Sequence, residues 1–202
     1  NSGNYSEHNG SIYLYDETTK RMENNIINKS NGEELGATIM DGIYNVYGMG
    51  YILCSNPDKI EIIDLYRNPG RRLTNPITDA DGQLRNTREI MLGDNWIFVS
   101  NQGETYVEQP DGMYEYTNSF VSIFDANTNT LAGKVEVGSD AQDLVYSNNK
   151  LYVATKDGIV VVRCEPTGDF RISNTIEPEA DFAGPVKHMC IVNGVIYASI
   201  PG

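Results

Sequence analysis

The 202 residues are 40% hydrophobic and 9% aromatic with 19 glycines, a globular rather than disordered composition sized for one large or two small domains. The formal charge is −13, from 28 acidic against 15 basic side chains, which is the wrong sign for a nucleic acid or an anionic membrane partner. No apolar run is long enough to cross a bilayer as a helix, and the chain opens on Asn1 without a Met, signal peptide or lipidated Cys, as expected of a processed or trimmed chain.

From the N-terminus, SIYLYD (11–16) reads as a strand ending in Asp, followed by ETTK and a returning strand, RMENNI (21–26). An Asp at that place accepts backbone N–H groups two residues on and closes the turn. The pair recurs as KIEIID (59–64) with RRLTNPI (71–77), FVSIFD (120–125) with LAGKVEV (131–137), and GIVVVR (158–163) with FRISNTI (170–176). In the last pair Arg163 replaces the Asp, and EPTG (165–168) supplies the turn.

A second repeat lies between these pairs. IYNVYGMGYILC (43–54), REIMLGDNWIFV (88–99), QDLVYSNNKLYV (142–153) and KHMCIVNGVIYA (187–198) align without a gap. Each is a predicted β-hairpin, with two-residue turns at Met49-Gly50, Asp94-Asn95, Asn148-Asn149 and Asn193-Gly194. The full unit is therefore four antiparallel strands, a to d. Tyr44, Glu89, Asp143 and His188 occupy one column of it, at spacings of 45, 54 and 45. Four-stranded units of that length predict an all-β chain, a β-propeller. Three blades are expected whole (43–78, 88–138 and 142–176), with strands c and d alone at 11–27 and a and b alone at 186–202. The two half-units would complete one blade in a closed four-bladed ring. The favoured expectation is instead an arc of a seven- or eight-bladed ring, because both ends break at a similar point in the repeat. No helical periodicity competes, and Cys54, Cys164 and Cys190, inside apolar runs, are expected to be small buried hydrophobes.

The hairpins resemble the YVTN-type propeller repeat, in which an apolar strand and an Asn/Asp-Gly turn lead into Tyr-Val-x-Asn; here that ending stands as ILCSN, IFVSN, LYVAT and IYASI. Its Asp-x-x-Thr pattern appears as YLYDETT, and as IFDANT with the Thr one place late. The opening NSGNYSEHNGSIYLYD is similar to the start of surface lipoproteins of gut Bacteroidetes. The resemblance implies an extracytoplasmic, lipid-anchored cell-surface propeller, with TonB-dependent outer-membrane transporters and their lipoproteins as partners. One branch of such proteins binds cobalamin, which no residue here selects. No cofactor is implied.

In such a fold the d–a and b–c links share one face with the starts of the a-strands, whose other ends carry the short turns. Strand b to strand c takes 26 residues between 99 and 125, against 10 in the units either side of it. That link is 16 residues longer and reads QGETYVEQPDGMYEYTN (102–118), which carries Tyr106, Tyr114 and Tyr116 among Glu104, Glu108, Asp111 and Glu115. The d–a links 28–42, 77–87 and 177–186 are also long. Tyrosines with a flat apolar body and a polar tip suit sugars, ring systems or a protein partner. The competing reading is a solvated hairpin whose tyrosines pack on the strands beneath. The leading strand-a pairs, Ile43/Tyr44, Arg88/Glu89, Gln142/Asp143 and Lys187/His188, form a second candidate, a polar channel mouth. Its bland reading is mutual pairing, Arg88 with Asp143 for example.

Weaker signals are DADG (79–82), which fails the calcium-loop pattern because Ile90 stands where a bidentate Glu belongs, and DANTN (125–129), which sits at an expected turn. His8 and His188 are the only histidines, and no metal motif or nucleophile elbow is present. The leading expectation is a non-catalytic binding protein for a small molecule or glycan. A protein-interaction scaffold is the alternative, and a lactonase- or lyase-like enzyme using Glu89, Asp143 and His188 the third reading.

Overall fold

The computed structural model describes residues 2–45, 47–80, 82–110, 112, 114–179 and 184–200. The chain is all-β, 52% strand and 3% helix, and forms two compact units, Asn1–Asp79 and Ala80–Gly202.

The first unit opens with the hairpin β1 (Leu14–Asp16) and β2 (Arg21–Glu23). Helix α1 (Ile26–Asn31) follows, where a strand end and a link are expected from the sequence. Its cause is local. Asn25 caps the N-terminus by accepting the Asn28 N–H at 3.4 Å, and Gly32 ends it at φ 76°, its N–H bonded to the Asn28 carbonyl at 2.7 Å. A helix this short stands on tertiary support. Ile27 is buried in a core with Leu35, Ala37, Cys54 and Ile63. Asn31 ties the helix to the chain beyond, donating to the Gly70 carbonyl at 2.8 Å and accepting the Arg72 N–H at 2.9 Å. Gly70 has φ 86°, and a Cβ there would lie 2.5 Å from the Ile26 carbonyl oxygen, so the close approach requires glycine.

The four-stranded sheet of this unit runs β3 (Thr38–Tyr44), β4 (Met49–Ser55), β5 (Lys59–Asp64), β6 (Ile77–Thr78), each antiparallel to the next. The expected two-residue turn at Met49-Gly50 is not its turn: both residues lie inside β4, and the chain turns between Tyr44 and Met49. Asn45 Oδ1 accepts the N–H groups of Tyr47 and Met49, both at 3.0 Å, stabilising the longer loop. Strand β3 therefore begins at Thr38, five residues before the expected start, and carries a bulge between Ile39 and Asp41. Strand β6 is shorter than the expected 71–77, because Pro76 can donate no ladder bond; Leu73 N–H still reaches the Ile62 carbonyl at 2.9 Å.

The second unit contains β7 (Thr87–Gly93), β8 (Trp96–Asn101), β11 (Ser119–Asp125) and β12 (Leu131–Gly138) as one antiparallel sheet. A separate hairpin, β9 (Tyr106–Glu108) with β10 (Tyr114–Tyr116), stands between β8 and β11. The next sheet is β13 (Leu144–Ser147), β14 (Lys150–Thr155), β15 (Gly158–Cys164) and β16 (Phe170–Ile176). The closing hairpin is β17 (His188–Val192) with β18 (Val195–Ser199). Here the turns fall where expected, with Asp94, Asn148, Asn149, Asn193 and Gly194 at positive φ.

The two four-stranded sheets of the second unit face each other through Trp96, Phe98, Val121, Ile123 and Val135 on one side and Leu144, Leu151, Val153, Val160 and Val162 on the other. The second sheet meets the closing hairpin through Ala154, Ile159, Val186 and Met189. Strand β13 neighbours β7 on one side and β17 on the other, and β12 neighbours β16. Central strands are covered on both faces, so WIFVSN of β8 is buried throughout. Gly93 sits where a Cβ would meet the Tyr146 ring at 2.4 Å, and the Tyr146 hydroxyl donates to Asp94 at 2.6 Å. Cys54 and Cys164 are buried as expected, and burial pushes their thiols up to about 12 and about 11; Cys190, expected buried, is exposed.

Candidate functional site

Polar residues at strand ends in the second unit organise the connections around the site. Asn101, after β8 passes Ser100, accepts the Arg85 N–H at 2.8 Å and donates to the Val99 carbonyl at 2.9 Å. Ser100 accepts the Glu89 N–H at 3.1 Å and donates to the Gln142 carbonyl at 2.6 Å, joining the start of β7 to the residues before β13. Ser119 donates to the Gln102 carbonyl at 3.1 Å. In the next repeat Thr155 bonds the Gly158 carbonyl at 3.0 Å, and in the closing hairpin Ser199 Oγ accepts the His188 N–H at 3.2 Å. Ser100, Asn101, Ser119 and Thr155 are buried, and they satisfy backbone groups that water cannot reach, whereas the Ser199 bond is exposed.

On this base lies a cavity of about 680 Å³, wholly within the second unit. Part of it comes from strand starts and links: Arg88 at the start of β7, Asp140 and Gln142 before β13, and Pro185 and Lys187 before β17. Gln102 and Lys156 enter from the b–c links of successive repeats. The β9–β10 excursion supplies Gln109, Pro110, Tyr114, Glu115 and Tyr116.

Arg88 Nη2 donates to Gln102 Oε1 at 2.6 Å, while its Nε is buried without a hydrogen-bond partner. Gln102 Nε2 approaches Asp140 Oδ1 at 3.4 Å, and the Tyr116 N–H approaches the same oxygen at 3.4 Å. Burial raises the Asp140 carboxyl above its ordinary value, opposed by the Tyr116 N–H and by the charges of Lys187 and Arg88. Lys156 donates to Glu115 Oε2 at 2.6 Å, which raises the lysine, and Gln109 Nε2 donates to that oxygen at 2.9 Å. The Tyr106 ring stands edge-on to Tyr114 at 4.8 Å and to Tyr116 at 6.0 Å between centroids, bracing them.

Of the ten residues singled out from the sequence, Arg88, Gln142, Lys187, Tyr114 and Tyr116 line this one cavity. Tyr106 supports it from behind, with its side more than half exposed. Tyr44 belongs to the first unit and is 71% exposed; it pairs with Gly50 beside the turn, at the far end of its strand from the start, because the longer turn displaces the column. Asp143 accepts the Leu144 N–H at 2.8 Å and the Met189 N–H at 2.5 Å, so its carboxylate joins β13 to β17. It does not pair with Arg88, which bonds Gln102 instead. His188 is exposed and Glu89 half-buried, and neither lines the cavity. Asp111 lies outside the described residues, as does Asp81 of DADG. Asp125 of DANTN accepts the N–H groups of Asn127 at 2.8 Å and Thr128 at 3.0 Å, closing its turn.

Gln102, Gln109, Asp140 and Lys156 escaped the sequence reading. The signal was present: Asp140 and Lys156 fall in a d–a and a b–c link of other repeats, which the face rule applied to every repeat reaches, while Gln102 and Gln109 lie in the longest link itself beside the tyrosines. No protein-family model matches the chain, and no curated protein matches it.

Proposed function

We propose that this chain is a binding protein of the propeller type, forming an arc of a YVTN-like ring at a bacterial cell surface, where it captures a small molecule or glycan for an outer-membrane transporter. The surface location and the transporter rest on the sequence resemblance. The ring is supported by the second unit, where sheets stack face to face with β7, β13 and β17 in succession and β12 beside β16.

The observation that carries the binding reading is the cavity itself. Three successive repeats and a tyrosine-bearing insertion, far apart in sequence, contribute convergent polar groups and aromatic faces to one concavity of small-ligand size. Asp143 is engaged by two backbone N–H donors, an architectural use that argues against the acid–base reading of Glu89, Asp143 and His188.

Titration calorimetry against a panel of oligosaccharides and corrinoids tests the proposal. A member should bind the wild-type chain, and Tyr114→Ala should weaken it about tenfold or more, as loss of an aromatic anchor does. Binding untouched by that substitution would place the site elsewhere; no binding across the panel would favour the scaffold reading.

A further inference from the structure

The charge of the cavity runs against the charge of the chain. Against a formal −13 overall, the described residues of its lining hold three cations, Arg88, Lys156 and Lys187, and two carboxylates, Glu115 and Asp140. One cation is spent internally, since Lys156 is closed on Glu115 at 2.6 Å. Among the described residues Asp140 is the remaining carboxylate, set against both Arg88 and Lys187, so these side chains carry one positive charge more than they neutralise. The Lys187 ammonium makes no hydrogen bond or ion pair among the described residues, and Arg88 bonds only a neutral amide, leaving Nε without an acceptor. A desolvated guanidinium donor without a partner is costly, and an incoming anionic oxygen relieves that cost after a small side-chain shift.

Resting on the binding reading above, we infer that the ligand of this cavity is a sugar of the uronic acid type, one unit of which places a single, singly charged carboxylate against Arg88 and Lys187 and its ring face against Tyr114 and Tyr116. A dianionic phosphate fits worse, because Asp140 would face its second charge. The tyrosines supply flat apolar surface for a ring, and Gln102, Gln109 and Gln142 supply neutral donors and acceptors for hydroxyls.

Tetragalacturonate and its full methyl ester, which keeps the shape and removes the charge, separate the inference from the reading beneath it. Calorimetry should show tetragalacturonate bound at least about tenfold more tightly than the ester, with affinity falling as salt rises. Arg88→Gln and Lys187→Gln should each cost roughly 10–100-fold for the acid and little for the ester, while Arg88→Lys recovers part of the loss. Lys187 is half-buried just before β17 and its side chain holds no partner among the described residues, so its variant reports even where an Arg88 variant misfolds. Equal binding of acid and ester, indifferent to salt and to Lys187→Gln, would overturn the anionic assignment and leave the small-ligand reading standing. Tighter binding of galactose 6-phosphate than of galacturonate would overturn the single-charge assignment. Failure of the acid, the ester and every member of the wider panel would overturn both.

Discussion

Two clusters of charge, one in each unit, are built from the same residue types and resolved in opposite ways. In the first unit Glu61 is 1% exposed and accepts from Lys59 Nζ at 2.7 Å, Arg72 Nε at 2.8 Å and Arg72 Nη2 at 3.2 Å. Arg72 also pairs with Glu33, and Lys59 donates to the Leu35 carbonyl at 2.6 Å. Hydrogen bonding to Glu61 raises the arginine further, against the desolvation that lowers it. In the second unit Arg88 holds a neutral Gln102, keeps a buried Nε unpartnered, and shares its cavity with Lys187, whose ammonium is unpaired among the described residues. A cluster whose donors and acceptors all find one another is architecture, because breaking it strands a buried charge. A cluster left one partner short in a concave setting has its stabilising contact still to make.

The largest expected effect follows from the closed cluster. Arg72→Ala leaves Glu61 buried with only Lys59, and should cost about 3–5 kcal/mol of stability, read as a shifted urea midpoint. A loss below about 1 kcal/mol would erase the contrast between the two clusters. Arg88→Gln removes the unsatisfied Nε together with one bond to a neutral amide, Gln102, and leaves no buried charge stranded, so stability should move by less than about 1 kcal/mol in the same assay. A cost equal to that of Arg72→Ala would make the open cluster architectural too.

A smaller effect compares the turn aspartates, one in each unit. Asp64 accepts the Tyr66 N–H at 2.8 Å and the Arg67 N–H at 3.0 Å, and Asp125 makes the same pattern; these bonds hold both carboxyls below the ordinary carboxylate value. Their contribution is fully present above the unfolded carboxylate value and is lost as pH falls through the lower folded value. Asp64→Asn and Asp125→Asn keep an accepting oxygen and remove the charge, so each should flatten the acid limb of the stability–pH curve. An unchanged acid limb in both would remove these turns as its source. The smallest perturbation is chemical: alkylation of the native chain at neutral pH should label Cys190 alone, since Cys54 and Cys164 are buried with raised thiol values. Labelling of Cys54 without unfolding would show that the closed cluster's surroundings open readily.

Much of the strand order was legible because its causes are local. Strand β5 and strand β16 begin and end at the residues expected, and the Asp turns after β1, β5 and β11 close as the side-chain chemistry requires. The first a–b turn falls earlier than the ungapped alignment predicts, because Gly48 and Gly50 both suit a turn and Asn45 decides between them, its two bonds favouring the longer loop. Helix α1 was invisible to periodicity, since six residues hold less than two turns and its stability comes from Ile27 and Asn31 meeting distant partners. In the site, the tyrosines and strand-start polar residues were readable from loop length and column. Asp140 and Lys156 were not singled out, because each is an ordinary link residue until the sheets stack.

Alternation, turn chemistry and repeat spacing alone determined that this chain makes successive four-stranded antiparallel sheets, because each of those forces acts within a few residues. Which side chains would share a cavity, and with what sign of charge, was decided only in three dimensions. Packing of one sheet on the next sets that choice: it brings Arg88, Asp140 and Lys187 together, while a longer turn in another hairpin leaves Tyr44 out.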